Sequence, residues 1–143
     1  MQKLVLTEEE QMVRESAADF LSQKAGPGAL RKIRDTANPQ GFSSEVWLEM
    51  AELGWPSILI EEAQGGLGFS HVAMGQIMEL CGNTLACSPL FSTAVVGASA
   101  LSLGGDRLAL LPKVAAGSLT LALAIDETPR HNPQGIATSA DRR

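Results

Sequence analysis

Two acidic pairs are the residues whose type first suggests acid–base chemistry in this chain. Glu61 is followed directly by Glu62, and Asp126 is followed directly by Glu127. Adjacent side chains of an extended backbone point in opposite directions, so neither pair has the geometry of two carboxylates that share one proton. We therefore predict that neither pair is catalytic.

The histidines and cysteines give no pattern of nucleophilic or metal chemistry. His71 and His131 are far apart in the sequence, and no G-x-S-x-G segment would present a serine nucleophile. Cys81 and Cys87 have no neighbouring base to activate them, and two cysteines are too few for a disulfide framework, which indicates a reducing compartment. We predict no catalytic residue and no metal site.

A glycine-rich turn, GGLGFS at 65–70, resembles a phosphate-binding loop because it precedes a helical pattern. It lacks the lysine of G-x-x-x-x-G-K-[ST] and does not match G-x-G-x-x-G. We interpret it as a structural turn in which Gly65, Gly66 and Gly68 have positive φ. The turn closes a non-helical joint, LGWPSILIEEAQGGLG, at 53–68.

Amphipathic helical patterns surround this joint. Thr7 and Glu10 form a capping-box pattern before the first helix, and Ser43 and Ser70 are N-cap candidates for later ones. The predicted helices cover about 8–25, 29–35, 44–53, 71–81, 89–103 and 106–114, and the fourth is closed by Gly82 and Asn83. The run at 94–103 is apolar nearly all round, so we expect its helix to be central and covered on several sides.

The pattern changes at residue 118. LTLALAIDE at 119–127 is a continuous apolar run ended by two acids, which is typical of a buried strand. No earlier segment predicts a partner strand, so we expect a sheet that is cut off as it begins. The predicted fold is mainly α, with a helical domain at 1–117 and the truncated start of a β-domain at 118–143.

Composition supports packed helices and excludes several functions. Hydrophobic residues make up 45% of the 143 residues and aromatic residues only 4%, so aliphatic side chains must form the core. The net charge is −5 and no basic stripe is present, which argues against nucleic-acid binding. No run reaches the length of a membrane span and no signal-peptide pattern is present, so we expect a cytoplasmic protein.

Four blocks resemble the N-terminal helical domain of the acyl-CoA dehydrogenase family. They are LTEEEQMVRESAADFL at 6–21, ELGWPSILIEEAQGGLGFS at 52–70, MELCGNTLACSPLFSTAV at 78–95 and LPKVAAGSLTLALAIDE at 111–127. They occur in the family's order and extend over most of the chain. The LACSP and ALAIDE segments within them are more similar to the small or partner subunits of heteromeric members.

The resemblance implies a plan and an activity. Family members have an N-terminal helical domain, a middle β-domain and a C-terminal helical bundle, with FAD and the acyl-CoA thioester between the last two. A glutamate of the C-terminal bundle removes a proton from the α carbon while a hydride passes from the β carbon to the flavin. That glutamate has no counterpart in these residues, so the resemblance implies a part of a homo- or hetero-oligomeric enzyme that is inactive alone.

The resemblance also implies site residues. Leu123, Ile125 and Asp126 occupy positions at which the family contacts the flavin, although here Leu123 replaces an aromatic residue and Asp126 replaces a threonine. The substrate-lining candidates lie where the family closes its acyl pocket, and they are Ser88, Pro89 and Ser92.

Two other interpretations stay open at this point. The chain could be a non-catalytic helical module or partner subunit that packs on a full-length acyl-CoA dehydrogenase. It could also be an ordinary helical bundle unrelated to CoA, which would have no affinity for a thioester or a flavin.

Overall fold

The structure is a computed structural model that describes residues 5–106 and 108–139. Within these residues the chain forms six α-helices: α1 Glu8–Lys24, α2 Pro27–Asp35, α3 Ser44–Glu52, α4 His71–Thr84, α5 Ala98–Gly104 and α6 Leu111–Ala115. Two short 3₁₀ turns, Trp55–Ser57 and Glu62–Gln64, lie between α3 and α4, and a π-helical segment, Phe91–Gly97, leads directly into α5. The mainly helical fold is as predicted.

The three predicted N-caps, Thr7, Ser43 and Ser70, are confirmed. The Thr7 N–H donates to Oε2 of Glu10 at 3.0 Å, while the Glu10 N–H donates to Oγ1 of Thr7 at 3.2 Å, which completes the capping box of α1. Ser43 caps α3, and Ser70 caps α4 by accepting from the Ala73 N–H at 3.2 Å. Each of these bonds links residues three apart, so the local sequence is enough to specify it.

The joint between α3 and α4 folds back on itself. The N–H groups of Leu67 and Phe69 donate to the carbonyls of Ser57 and Ile58 at 3.0 and 2.8 Å. These bonds hold the glycine-rich turn against the first 3₁₀ turn. The joint is therefore an ordered part of the fold, in which turn-to-turn hydrogen bonds pair backbone groups that neither an α-helix nor a strand would satisfy.

The prediction of positive φ is right for two of the three glycines. Gly65 and Gly68 have φ of +84° and +63°, whereas Gly66 lies outside the left-handed region. A Cβ added to Gly66 would lie 2.0 Å from the carbonyl oxygen of Ile60. A close approach of two backbone segments, and not a torsion angle, is what excludes a side chain at this position.

The core consists of two clusters. The larger joins α1, α3, the joint and α4, and in it Phe20 packs edge-on against Trp55 with ring centroids 5.2 Å apart. The smaller lies at the other side of the joint and contains Ile60, Ala98, Leu111 and Val114. Ile60 connects the joint to α5 and α6, so the non-helical segment is part of the packing and not a surface loop.

The helix predicted to be central is covered on one side only. Ala94 and Ala98 are buried, but Phe91 is 59% exposed and Leu103 is 91% exposed. The expectation that several sides of this segment are covered is therefore wrong for the described residues. An apolar run indicates that a helix favours burial, but it does not determine which other elements pack against it.

The predicted strand at 119–127 is not formed, and no strand occurs anywhere in residues 5–106 and 108–139. A strand needs a partner whose backbone pairs with its own, and these residues offer none. From residue 122 to residue 139 every residue is exposed. Among the helices of the described chain, none combines the length and the apolar character that a bilayer crossing requires.

Candidate functional site

A cavity of about 320 Å³ lies where the end of the helical domain meets the residues that follow it. Three parts of the chain form its walls: the loop before α3, the turn that leads into the π-helical segment, and residues 120–122. Its lining residues are Gln40, Gly41, Phe42, Cys87, Ser88, Pro89, Ser92, Thr120, Leu121 and Ala122. The structure therefore brings all three predicted substrate-lining residues together in one cavity.

Local hydrogen bonds fix the second wall. The Ser92 hydroxyl donates to the carbonyl of Pro89 at 3.0 Å, and the Ser88 Oγ accepts from the Leu90 N–H at 3.4 Å. The Cys87 thiol donates to the Gly41 carbonyl at 2.9 Å and so ties the second wall to the first. These bonds shape the wall and bring no acid–base pair into the cavity.

The other cysteine lies outside the cavity. Cys81 is in α4, and burial raises the pKa of its thiol to about 11. A thiol with this pKa is almost entirely protonated at neutral pH and is a poor nucleophile. Cys81 therefore acts as a core residue of α4.

Leu121 in the third wall is held by a residue that the sequence analysis did not single out. Thr93 lies in the π-helical segment, is fully buried, and has its hydroxyl 3.0 Å from the Leu121 nitrogen. The only hint of this role in the sequence is that Thr93 is a polar residue within the largely apolar run at 90–98. Its partner is 28 residues away, so spacing alone could not identify the contact.

The three residues expected to contact a flavin lie beyond the cavity. Leu123 and Ile125 are 50% and 38% exposed. The Asp126 carboxylate accepts from the Asn132 N–H at 3.2 Å and lies 3.1 Å from Nδ1 of His131. None of the three lines the cavity, and Asp126 is engaged within its own loop.

A flavin does not fit the described residues as a complete site. The predicted contact residues form an exposed segment without an opposing wall, and the Asp126 carboxylate would have to leave two partners to reach a ligand. No group of three or more metal-binding side chains comes together in the part of the chain that the structure describes. What the site offers is a cavity wall with hydroxyl groups.

A comparison with protein families identifies the helical domain. The sequence model of "Acyl-CoA dehydrogenase, N-terminal domain" matches residues 7–118. The match covers all six helices and the joint between α3 and α4. It ends where the segment that forms the third wall of the cavity begins.

Curated proteins give the same result. The chain is 30% identical over 120 residues to the acyl-CoA dehydrogenase IpdE2 of Mycobacterium tuberculosis, covering 83% of this chain and 37% of the relative. It is 30% identical over 142 residues to FadE12 of the same species, covering 95% of this chain and 35% of that protein. The chain thus spans about a third of the length of these relatives.

A solved structure has the same fold. It is a variant described as the "Tcur3481-Tcur3483 steroid ACAD", and it superposes with a TM-score of 0.74 at 30% identity. The superposition covers 84% of this chain and 33% of that one. In length and in fold, the likeness is again to one part of a longer protein.

Proposed function

This chain belongs to the acyl-CoA dehydrogenase family, and from that premise we propose that it supplies the N-terminal helical domain of an FAD-dependent enzyme that desaturates acyl-CoA thioesters at the α,β bond. The observation that carries the proposal is the cavity. Ser88, Pro89 and Ser92 line one wall of it, next to the segment that runs on toward the expected flavin contacts. In this proposal the cavity receives part of the acyl group.

The described residues have a supporting part in this chemistry. They provide apolar surface and serine hydroxyl groups beside an acyl chain, whereas no carboxylate and no histidine among them lines the cavity to act as a base. The base and most of the flavin contacts come from other residues, of the same polypeptide or of a partner chain. The redox chemistry itself is supplied by the flavin. We therefore expect no dehydrogenation by these residues alone.

The substrate is an acyl-CoA thioester whose acyl group is still to be identified. The solved relative is described as a "steroid ACAD", so steroid-derived thioesters belong among the substrates to be tested. We further propose that the chain works in the cytoplasm as part of a homo- or hetero-oligomer.

The second candidate function is a non-catalytic module that packs on a full-length dehydrogenase. Two exposed apolar residues favour it, because Leu103 and Leu108 are 91% and 77% exposed at the end of α5 and just beyond it. Exposed apolar surface of this kind is available for a protein–protein contact. In this case the cavity would be completed by the partner.

A chimaera tests the first proposal. Residues 7–122 of this chain, which include all three walls of the cavity, replace the matching residues of the mycobacterial IpdE2. Dehydrogenation of straight-chain, branched and steroid-derived acyl-CoA is then followed with an artificial electron acceptor. We expect a flavin-containing protein that oxidises at least one class. In that protein Ser92→Leu, which fills the cavity, should raise KM by about tenfold for the accepted class.

The matched control is Ser22→Leu, because Ser22 lies on the exposed side of α1. We expect the Ser22→Leu chimaera to keep the KM of its parent. A chimaera that retains flavin and has the same KM with Ser92→Leu as without it would contradict the role of the cavity. Co-purification of this chain with a full-length dehydrogenase, without any effect of Ser92 on KM, would favour the second candidate.

A further inference from the structure

One side chain holds the backbone of Leu121 against the helical domain. The Thr93 hydroxyl accepts from the Leu121 N–H at 3.0 Å and donates to the Leu121 carbonyl, with the two oxygens 3.4 Å apart. A single buried hydroxyl thus serves both backbone groups of one residue. In a sheet, the backbone of a neighbouring strand would do this.

A glycine lets Leu121 approach the helix. A Cβ added to Gly97 would lie 2.5 Å from Cβ of Leu121, 2.8 Å from its Cδ1 and 3.0 Å from the Ser92 carbonyl. A side chain at position 97 would therefore push Leu121 away. Thr93 and Gly97 lie at either end of one turn, and the Ala98 N–H donates to the Thr93 carbonyl in the five-residue pattern of a π-helix.

The segment has a second anchor four residues earlier. The indole N–H of Trp47 donates to the buried carbonyl of Gly117 at 2.8 Å. Residues 117–121 are therefore held at one end by Trp47 and at the other by Thr93. From residue 122 to residue 139 every residue is exposed. Leu121 is thus the last residue that the helical domain holds before the exposed segment begins.

We propose that Thr93 is a positioning residue whose hydroxyl fixes residues 120–122 as the third wall of the cavity. It also sets the point at which the chain toward Leu123 and Ile125 leaves the helical domain. When the hydroxyl is absent, Leu121 separates from Gly97 and the cavity opens on this side. The inference goes beyond the proposed function, because it depends on neither a flavin nor a thioester.

Hydrogen exchange of the full 143-residue chain tests this positioning role. Thr93→Val keeps the branched shape and removes the hydroxyl, so both backbone groups of Leu121 lose their partner. We expect the Leu121 amide to exchange about tenfold faster, which corresponds to the loss of one such bond. Thr93→Ser keeps the hydroxyl and should restore the slow exchange.

The matched control is Thr84→Val. Among the residues that the structure describes, the Thr84 hydroxyl bonds only to the carbonyls of Leu80 and Cys81 in its own helix. This substitution removes the same atom from another helix, and we expect the exchange of Leu121 to stay as in the parent chain.

Alkylation of Cys87 gives a second readout, because Cys87 lines the same cavity. In a Cys81→Ala background, Thr93→Val should increase the rate of reaction with iodoacetamide, and Thr93→Ser should not. Gly97→Ala should also increase it, because the added Cβ displaces Leu121 while the Thr93 hydroxyl remains.

Two results would overturn the proposal. One is an unchanged exchange rate of Leu121 in Thr93→Val. The other is an increase of the same size at Leu121 and at the buried Ile77 of α4, since equal increases would mean that Thr93 contributes only to global stability. Because the probes contain no flavin and no CoA, either failure would leave the proposed function standing.

Discussion

Gly66 owes its identity to a close contact between two backbone segments. A Cβ at this position would lie 2.0 Å from the Ile60 carbonyl oxygen and 2.5 Å from the Ile60 Cβ. The same carbonyl accepts from the Gly68 N–H at 2.9 Å. Ile60 is fully buried in the smaller core cluster. A side chain at position 66 would therefore disturb both the turn and the core.

We expect Gly66→Ala to lower the free energy of unfolding by about 1–3 kcal/mol, because the joint must open to admit the methyl group. The matched control is Gly75→Ala. Gly75 is exposed in the middle of α4 and has nothing within 4 Å of the added Cβ, so this change should raise the free energy of unfolding by about 0.5–1 kcal/mol.

Urea denaturation followed by Trp fluorescence measures both variants. A loss of stability at Gly66 beside a gain at Gly75 is the expected outcome. Equal changes in the two variants would mean that the contact with Ile60 does not constrain the turn.

At the residue scale, the sequence predicts what is local. The caps Thr7, Ser43 and Ser70 are predictable because each bonds to a backbone N–H only three residues away. The roles of Thr93 and Gly97 are not predictable from local sequence, because both depend on contact with Leu121, which lies 28 positions beyond Thr93. Ser88, Pro89 and Ser92 came from family resemblance, and their role in substrate binding stays a prediction.

At the element scale, one carboxylate links the starts of α1 and α4. Glu10 accepts from the Thr7 N–H at 3.0 Å through one oxygen and from the Ser70 hydroxyl at 2.7 Å through the other. Ser70 in turn caps α4. These hydrogen bonds favour the ionised carboxylate and hold the pKa of Glu10 below its usual range. The bond from the Thr7 N–H has the larger effect and the bond from the Ser70 hydroxyl the next largest.

This link makes stability depend on pH. A carboxyl group whose pKa is lowered by folding stabilises the folded state above its unfolded pKa of about 4.5, and the stabilisation is lost as pH falls through the folded pKa. Glu10→Gln should therefore lower the melting temperature at pH 7 and have little effect at a pH below the folded pKa.

Thermal denaturation across this pH range measures the difference, and Glu8→Gln is the control. It removes the same charge from the first turn of α1, where Glu8 makes no side-chain hydrogen bond to any described residue. A difference between Glu10→Gln and the parent chain that is the same at every pH would contradict the assignment.

Two helix boundaries differ clearly from the predictions, the start of the last helix and the end of the fourth. The helix predicted at 106–114 begins only at Leu111, because the Asp106 carboxylate accepts from the N–H groups of Leu110 and Leu111. Gly82 and Asn83 were expected to close the fourth helix, but α4 runs through both to Thr84, and Leu85 closes it with a φ of 55°. The strand predicted at 119–127 does not form. An apolar run favours burial, but forming a strand depends on a partner that the run does not contain.

At the scale of the whole molecule, the described residues form a helical domain with a cavity at one end and an exposed segment beyond it. The segment carries the residues that the family resemblance places against the flavin. Leu123 and Ile125 are exposed and Asp126 is bonded to its own loop. The four sequence blocks were enough to predict the helical domain. They could not show that the expected flavin contacts lack a facing wall, because that depends on which parts of the chain pack against each other.

The visible absorption spectrum of the purified chain, after incubation with FAD and desalting, is the most direct test of the central claim. That claim is that this chain supplies the helical domain and one wall of an acyl-CoA dehydrogenase site whose flavin is held mainly by other residues. We expect a colourless protein, and an acyl-CoA dehydrogenase that retains its flavin after the same desalting is the control. Flavin retained in near-stoichiometric amount by this chain alone would contradict the account.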